Sequence, residues 1–290
     1  MPTFETPRPI TVHVDVVGDV RVDASDRTDT VVSVVPRDPS SSSDAKAARD
    51  TTVELTGDEL LVRTPKHWKR FTPFGGSEIV EVTISVPTGS QLVASTGLGD
   101  IRTEGELGPC RVKSAMGDLR LDRTADLKAT TAFGDITVDH VDGDAEVSTS
   151  SGDVRVGLVS GALVVKNSNG PTELGRIDGD LRVRSANGDI LVERAGRSAV
   201  AKTANGDIRL HDVRNGSVVM ETAAGDIEVG VRRGVAAWLD VNTRFGTVRN
   251  DLDAADGPAA TDGTVEVRAT TATGDITIRR AAGSDAATSG

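Results

Sequence analysis

The sequence predicts an all-β fold: a single-chain β-solenoid (β-helix-like) of about 18-residue coils, preceded by an irregular β N-terminal cap. Three observations carry this. One phrase recurs, as SAMGDLRL at 114–121, TAFGDITV at 131–138, SANGDILV at 185–192, TANGDIRL at 203–210, TAAGDIEV at 222–229 and TATGDITI at 271–278. Its glycines are evenly spaced: Gly99, Gly117, Gly134, Gly152, Gly170, Gly188, Gly206, Gly225, Gly246 and Gly274, with steps of 18, 17, 18, 18, 18, 18, 19, 21 and 28. On either side of each glycine, apolar and polar residues alternate with the period of a half-buried strand. A catalytic motif normally occurs once, whereas a phrase repeated at a fixed period is architecture.

The elements follow in order. Ile10–Val16, Val20–Asp23, Val31–Val35, Val53–Leu55, Leu60–Arg63 and Ile79–Val86 read as strands of degenerate first coils or of a small capping sheet. Residues 38–50 read as a polar loop with a short helix. A solenoid needs covered ends, because open strands invite edge pairing. The organisation is therefore a capping region over 1–89, a repeat domain over 90–280 and a disordered tail over 281–290.

Within the repeats, the residues seven and five before each glycine are apolar (Leu92, Cys110, Leu127, Leu163; Val112, Val147, Val165, Val183). So are those two and four after it (Ile101, Leu119, Ile136, Ile190, Ile208; Leu121, Val138, Val192, Leu210). An odd step across the Gly-Asp marks a corner at which the chain turns and the inside stays inside. Two strands and two corners make one coil, and equivalent strands pair at a spacing of roughly 4.8 Å. Glycine supplies the backbone freedom a corner needs, and the aspartate bonds neighbouring backbone groups. The structural corner residues are Gly117 and Asp118, Gly134 and Asp135, Gly152 and Asp153, Gly188 and Asp189, Gly206 and Asp207, Gly225 and Asp226, and Gly274 and Asp275. Ser or Thr recurs three residues before the glycine, on an inward phase, where a hydroxyl can bond the neighbouring coil. The steps of 21 and 28 read as insertions, the last a polar loop over 250–263.

Composition narrows the function. Aromatics are 2% of the 290 residues, with no Tyr, so the core must be layered from Val, Ile, Leu and Ala. A net charge of −11 without a basic block argues against nucleic-acid binding. One cysteine, Cys110, excludes an intramolecular disulfide and a Cys-based zinc set, and its inward phase reads as core. The start, MPTFETPRPI, lacks a basic n-region and an apolar run, and no stretch approaches a membrane span. The expectation is a cytoplasmic protein, with peripheral envelope association left open.

The repeated aspartates could hold Ca²⁺, but Ca²⁺ takes six to eight oxygens and one carboxylate per coil is thin. They read as corner caps, with no metal and no cofactor expected. His140 and His211 lie four coils apart and cannot share an ion. Outward Lys113, Lys166, Arg184 and Lys202, and outward Arg102, Arg120, Arg155 and Arg209, read as solvated faces of mixed charge; the alternative is basic stripes suited to an anionic polymer. The least repeat-like segment is PKHWKRFTPFGG at 65–76. It reads as a plug or a binding site, and Lys66, His67, Trp68, Lys69, Arg70, Phe71 and Phe74 are the candidate binding residues. Aromatic and basic residues together suit lipid headgroups or a partner surface. No Gly-x-Ser-x-Gly elbow, Walker loop or dinucleotide fingerprint occurs.

The phrase [Ser/Thr]-x-x-Gly-Asp-[Ile/Val/Leu]-x-[Val/Leu] resembles a bacterial family called putative adhesins, β-strand-repeat domains of unknown function. TPFGG (72–76), VKNSNG (165–170), VAKTANGDIRL (200–210) and VAAWLDVNTRFGTVRNDL (235–252) are similar to its actinobacterial branch. The resemblance implies a β-solenoid and no known catalysis. The expected function is a non-catalytic interaction or scaffold protein whose partner is a protein or a cell-envelope component, with self-association open to it. One alternative is an envelope or surface adhesin binding glycans. Another is a polysaccharide-active β-helix enzyme, which would need paired carboxylates in an outward groove.

Overall fold

Apolar–polar alternation becomes strand through most of the chain. The computed structural model describes residues 1–65, 78–252 and 263–281. It divides into two compact units, Met1–Ser150 and Ser151–Gly290.

Unit one contains β1 (Thr3–Glu5), β2 (Thr11–Val16), β3 (Gly18–Ser25), β4 (Asp29–Pro36), α1 (Ser42–Asp50), β5 (Thr52–Thr56), β6 (Glu59–Arg63), β7 (Val80–Pro87) and β8 (Gln91–Thr96). It continues with β9 (Ile101–Leu107), β10 (Cys110–Met116), β11 (Leu119–Thr124), β12 (Leu127–Phe133), β13 (Ile136–Val141) and β14 (Ala145–Ser151). One sheet runs β1-β4-β7-β3-β9-β11-β13 and the other β5-β6-β2-β8-β10-β12-β14. The repeat strands pair in parallel and in register, Cys110 beside Leu127 and Leu119 beside Ile136.

The first strands are more regular than expected. VVGDVRVD (16–23) carries the Gly-Asp-Val-x-Val of the repeat phrase, with Asp15 in place of its Ser or Thr, and β2 and β3 pair in parallel with β8 and β9 as an ordinary coil. The coil formed by β6 and β7 lies on the far side of them, so the coil order in space departs from the order in sequence. Antiparallel strands close this edge, β5 on β6 and β4 on β7, with β1 outside β4. Helix α1 is capped by Ser41, and its buried Asp44 accepts the backbone N–H of Ile79 at 3.2 Å, tying the helix to the start of β7.

Unit two contains β15 (Val154–Val159), β16 (Leu163–Asn169), β17 (Thr172–Ile177), β18 (Leu181–Asn187), β19 (Ile190–Ala195), β20 (Ala199–Lys202) and β21 (Ile208–Val213). It ends with β22 (Gly216–Ala224), β23 (Ile227–Val231), β24 (Val235–Phe245), β25 (Val248–Asn250), β26 (Gly263–Thr273) and β27 (Ile276–Arg280). Its sheets run β15-β17-β19-β21-β23-β27-β25 and β16-β18-β20-β22-β26-β24. Ile190, Ile208, Ile227 and Ile276 stack in register, each at most 1% exposed. Burying one such side chain stabilises by about 2–3 kcal/mol.

The stack of isoleucines carries a correction. The expected succession was Gly225, Gly246, Gly274. In the structure the coil of β26 and β27 slots between the coil of β22 and β23 and that of β24 and β25. The long last step is therefore a return path to a vacated slot, and not simply a loop inserted between successive coils. Along the sequence, the coil of β24 and β25 precedes the coil that lies inside it.

Candidate interaction surface

The corners decide which side chains are free to meet a partner. At most corner glycines φ lies between +126° and +149°, and an added Cβ would sit 2.0–2.3 Å from the carbonyl oxygen of the glycine one coil away. Gly206, for example, has φ +141° and Gly188 O at 2.3 Å. Glycine is needed for its backbone angle and for the close approach of the coils.

The ladder aspartates perform two tasks between them, and Asp100 and Asp207 perform both. The Oδ1 accepts the backbone N–H of the equivalent residue one coil on: Asp100 N–H to Asp19 (2.9 Å), Asp118 N–H to Asp100 (2.9 Å), Asp135 N–H to Asp118 (3.0 Å). Unit two repeats this: Asp207 N–H to Asp189 (2.9 Å), Asp226 N–H to Asp207 (2.9 Å), Asp275 N–H to Asp226 (2.8 Å) and Thr247 N–H to Asp275 (2.8 Å). Where an arginine stands two residues on, Oδ2 takes it: Arg102 on Asp100 (3.0 Å), Arg155 on Asp153 (2.8 Å), Arg209 on Asp207 (2.6 Å). The outward arginines Arg102, Arg155 and Arg209 are thus counter-ions of the ladder. Asp19 and Gly18 belong to it too, a position that reading from Gly99 onward passed over although the phrase was there.

The inward hydroxyls complete the corner. Thr96 donates to Gly18 O (2.9 Å), Ser114 to Gly99 O (3.1 Å), Thr222 to Gly206 O (3.0 Å) and Thr271 to Gly225 O (3.0 Å). One coil differs. Pro171 has neither an N–H for Asp153 nor an acceptor side chain for Asp189. There Asn167 Nδ2 bonds both Gly152 O (3.1 Å) and Gly170 O (2.9 Å), which leaves the buried Ser185 Oγ without a partner. Asn169, Asn187 and Asn205 run alongside as an amide ladder at 2.9 Å per step.

With the corners occupied by structure, the surface anomalies stand out. The residue just before the corner glycine is apolar and exposed on three successive coils of unit one: Leu98 (37%), Met116 (53%) and Phe133 (61%). Met116 and Phe133 are register partners, and the Gly99 N–H bonds Met116 O at 2.9 Å. They form a single apolar file along one corner. Sequence reading missed it because attention fell on the positions that alternate inward. The signal was an apolar residue three times running where the later repeats carry Ser, Asn, Ala or Thr, apart from Phe245.

In unit two, Lys166, Arg184 and Lys202 sit side by side on the outside of one sheet. Lys202 is bonded to Glu221 (2.6 Å), while Arg184 has no ion-pair partner among the described residues. A groove of about 660 Å³ borders this row, lined by Arg184, Lys202, Glu221, Asn242, Arg244 and Thr270. Trp238, 58% exposed, lies under the Arg268 guanidinium at 5.9 Å.

Other sequence candidates resolve as follows. Lys66, His67, Trp68, Lys69, Arg70, Phe71 and Phe74 lie outside the described residues. Burial pushes the Cys110 thiol up to about 11, which suits a core residue and not an activated nucleophile. His140 faces Asp142 (3.0 Å) and His211 faces Glu193 (3.2 Å). The bidentate Arg123 holds the Asp142 carboxyl below the ordinary range. No helix among the described residues is long and apolar enough to cross a membrane.

Several solved structures align with the chain at low identity. A putative adhesin from Parabacteroides merdae ATCC 43184 is 12% identical, with 96% of this chain and 94% of that chain covered and a TM-score of 0.44. A putative lipid binding protein from Parabacteroides distasonis ATCC 8503 is 11% identical, with 95% of each chain covered and a TM-score of 0.45. A putative adhesin from Bacteroides fragilis NCTC 9343 is 12% identical, with 96% and 95% covered and a TM-score of 0.38. No curated protein matches the chain. The family described as Toastrack DUF4097 matches residues 9–279, nearly the whole chain. The chain belongs to the Toastrack DUF4097 family.

Proposed function

We propose that this chain is a non-catalytic, adhesin-like interaction protein that docks a protein partner on the apolar file of unit one. The observation that carries it is the stacking of exposed Leu98, Met116 and Phe133 on consecutive coils. In a chain with five phenylalanines, placing one on the surface beside an exposed methionine withdraws it from a core short of aromatics. Exposed apolar patches of this kind mark interaction surfaces, and aromatic and methionine side chains are enriched at the centres of interfaces. The engagement of the ladder carboxylates and the elevated Cys110 thiol support a role without catalysis.

The test is affinity capture from the native cell with the wild type and with Met116→Glu/Phe133→Glu, both substitutions at exposed positions. Loss of a specific protein in the variant is expected. The same set of bound proteins in both would contradict the reading.

A second reading rests on the cation row Lys166, Arg184 and Lys202 in unit two: an envelope adhesin that holds an anionic glycan. It predicts salt-sensitive co-sedimentation with an acidic polysaccharide, weakened by Arg184→Glu and absent with a neutral one.

A further inference from the structure

We propose that unit two pairs with a second copy of the chain through β24 and β25, antiparallel and about a two-fold axis. The two units treat their edges differently. Unit one ends in short antiparallel strands. Unit two ends in β24, an eleven-residue strand bonded to β26 on one side only, with β25 likewise bonded only to β27 among the described residues. Proteins usually blunt such edges with proline, bulges or short strands; β24 has no proline, and β26 pairs with it along nearly its whole length. Its inward residues Leu239, Val241 and Thr243 are only half-buried, whereas their neighbours Val267, Ala269 and Thr271 on β26 are buried. No outer layer covers them among the described residues.

The charge pattern names the occupant. The outward residues of β24 include Asp240, Asn242 and Arg244, all exposed. When Asn242 meets its own copy across an antiparallel pair, Asp240 of each copy lies opposite Arg244 of the other, and Leu239 lies opposite the exposed Phe245. β25 and its extension repeat the pattern as Arg249, Asn250, Asp251. With Asn250 on the axis, Arg249 meets Asp251 and Val248 meets Leu252. Asn242 and Asn250 each lie four residues from Gly246, on opposite sides of the corner. One two-fold axis through both sheets therefore serves both strands, as an isologous contact requires. None of Asp240, Arg244, Arg249 and Asp251 has an ion-pair partner within the described chain.

Light scattering on size-exclusion fractions tests this, from low micromolar to near-millimolar protein. The wild type is expected to dimerise. Asp240→Arg alone and Arg244→Asp alone each place like charges opposite one another twice and weaken the dimer about tenfold or more. Asp240→Arg/Arg244→Asp restores it. As a check independent of these variants, Asn242→Cys forms an intermolecular disulfide on mild oxidation, because mates on the axis sit about 4.5–5.5 Å apart at Cα. Trp238→Cys, far from its own copy in this register, does not. A wild type monomeric throughout, or single reversals that leave the dimer unchanged, would overturn the proposal. So would a failure of Asn242→Cys to cross-link. None of these variants touches the unit-one file, so this proposal and the proposed function fail separately.

Discussion

Asp207 and Asp226 are bonded across neighbouring coils: the Asp226 N–H donates to Asp207 Oδ1 at 2.9 Å, while Arg209 holds Asp207 Oδ2 at 2.6 Å. A carboxylate stack would ordinarily repel itself. Here one oxygen of Asp207 closes a backbone donor and the other meets a guanidinium. Hydrogen bonds to charged groups contribute about 1.5–3 kcal/mol, and this one is discounted toward the lower end because the site is partly solvated. Asp207→Ala is expected to lower unfolding free energy by about 1–2 kcal/mol in urea. Asp207→Asn, which retains an acceptor oxygen, should lose less.

Gly206→Ala should be worse than Asp207→Ala. It combines φ +141° with a Cβ 2.3 Å from Gly188 O, and the obstruction is backbone that cannot swing aside. A loss of about 3 kcal/mol or more is expected, read as a fall in urea midpoint. An alanine variant as stable as the wild type would show that the coils are not in this close contact.

Thr222 and Ser185 occupy equivalent places with opposite consequences. Thr222→Val should cost about 1 kcal/mol, because its hydroxyl bonds Gly206 O at 3.0 Å. Ser185→Ala should be neutral or slightly stabilising, because its buried hydroxyl has no partner. Asn167→Ala should exceed both, since one amide serves two glycine carbonyls. Thermal melts of the three variants rank them.

Cys110 makes the stability pH-dependent at the alkaline end. Its thiol stays protonated in the fold up to about 11, whereas the unfolded thiol ionises near 9.0. Between those values the unfolded state holds fewer protons, so stability falls as pH rises, by roughly 2 kcal/mol across the window. The difference between wild type and Cys110→Ala, followed by urea unfolding from neutral to alkaline pH, should shrink accordingly. A thiol reagent should label Cys110 slowly in native protein and quickly once unfolded.

The fold was legible because period and phase agree. Gly-Asp recurs at a fixed distance, and Ile190, Ile208 and Ile227 follow at the same offset, so layers could be counted from the sequence. The order of the outer coils was not legible. A repeat specifies which strands are equivalent and not which are neighbours, and the 28-residue step to Gly274 reads the same whether it spans a loop or a return path. The first coil reads only as degenerate because Gly18 and Asp19 are separated from Gly99 by β4, α1 and the strands that follow, and because Asp15 stands where the phrase has Ser or Thr. The apolar file at Leu98, Met116 and Phe133 was hidden by its own phase, since it stands at the slip where alternation gives no inward or outward assignment.

The central claim is that equivalent residues lie on top of one another, with the 263–280 coil between its two neighbours. Disulfide formation in Glu228→Cys/Thr277→Cys tests it most directly, because these outward positions are register partners on β23 and β27. Rapid intramolecular cross-linking is expected there, and none in Glu228→Cys/Arg249→Cys, whose strands are separated by β27. Cross-linking of the second pair and not the first would contradict the arrangement.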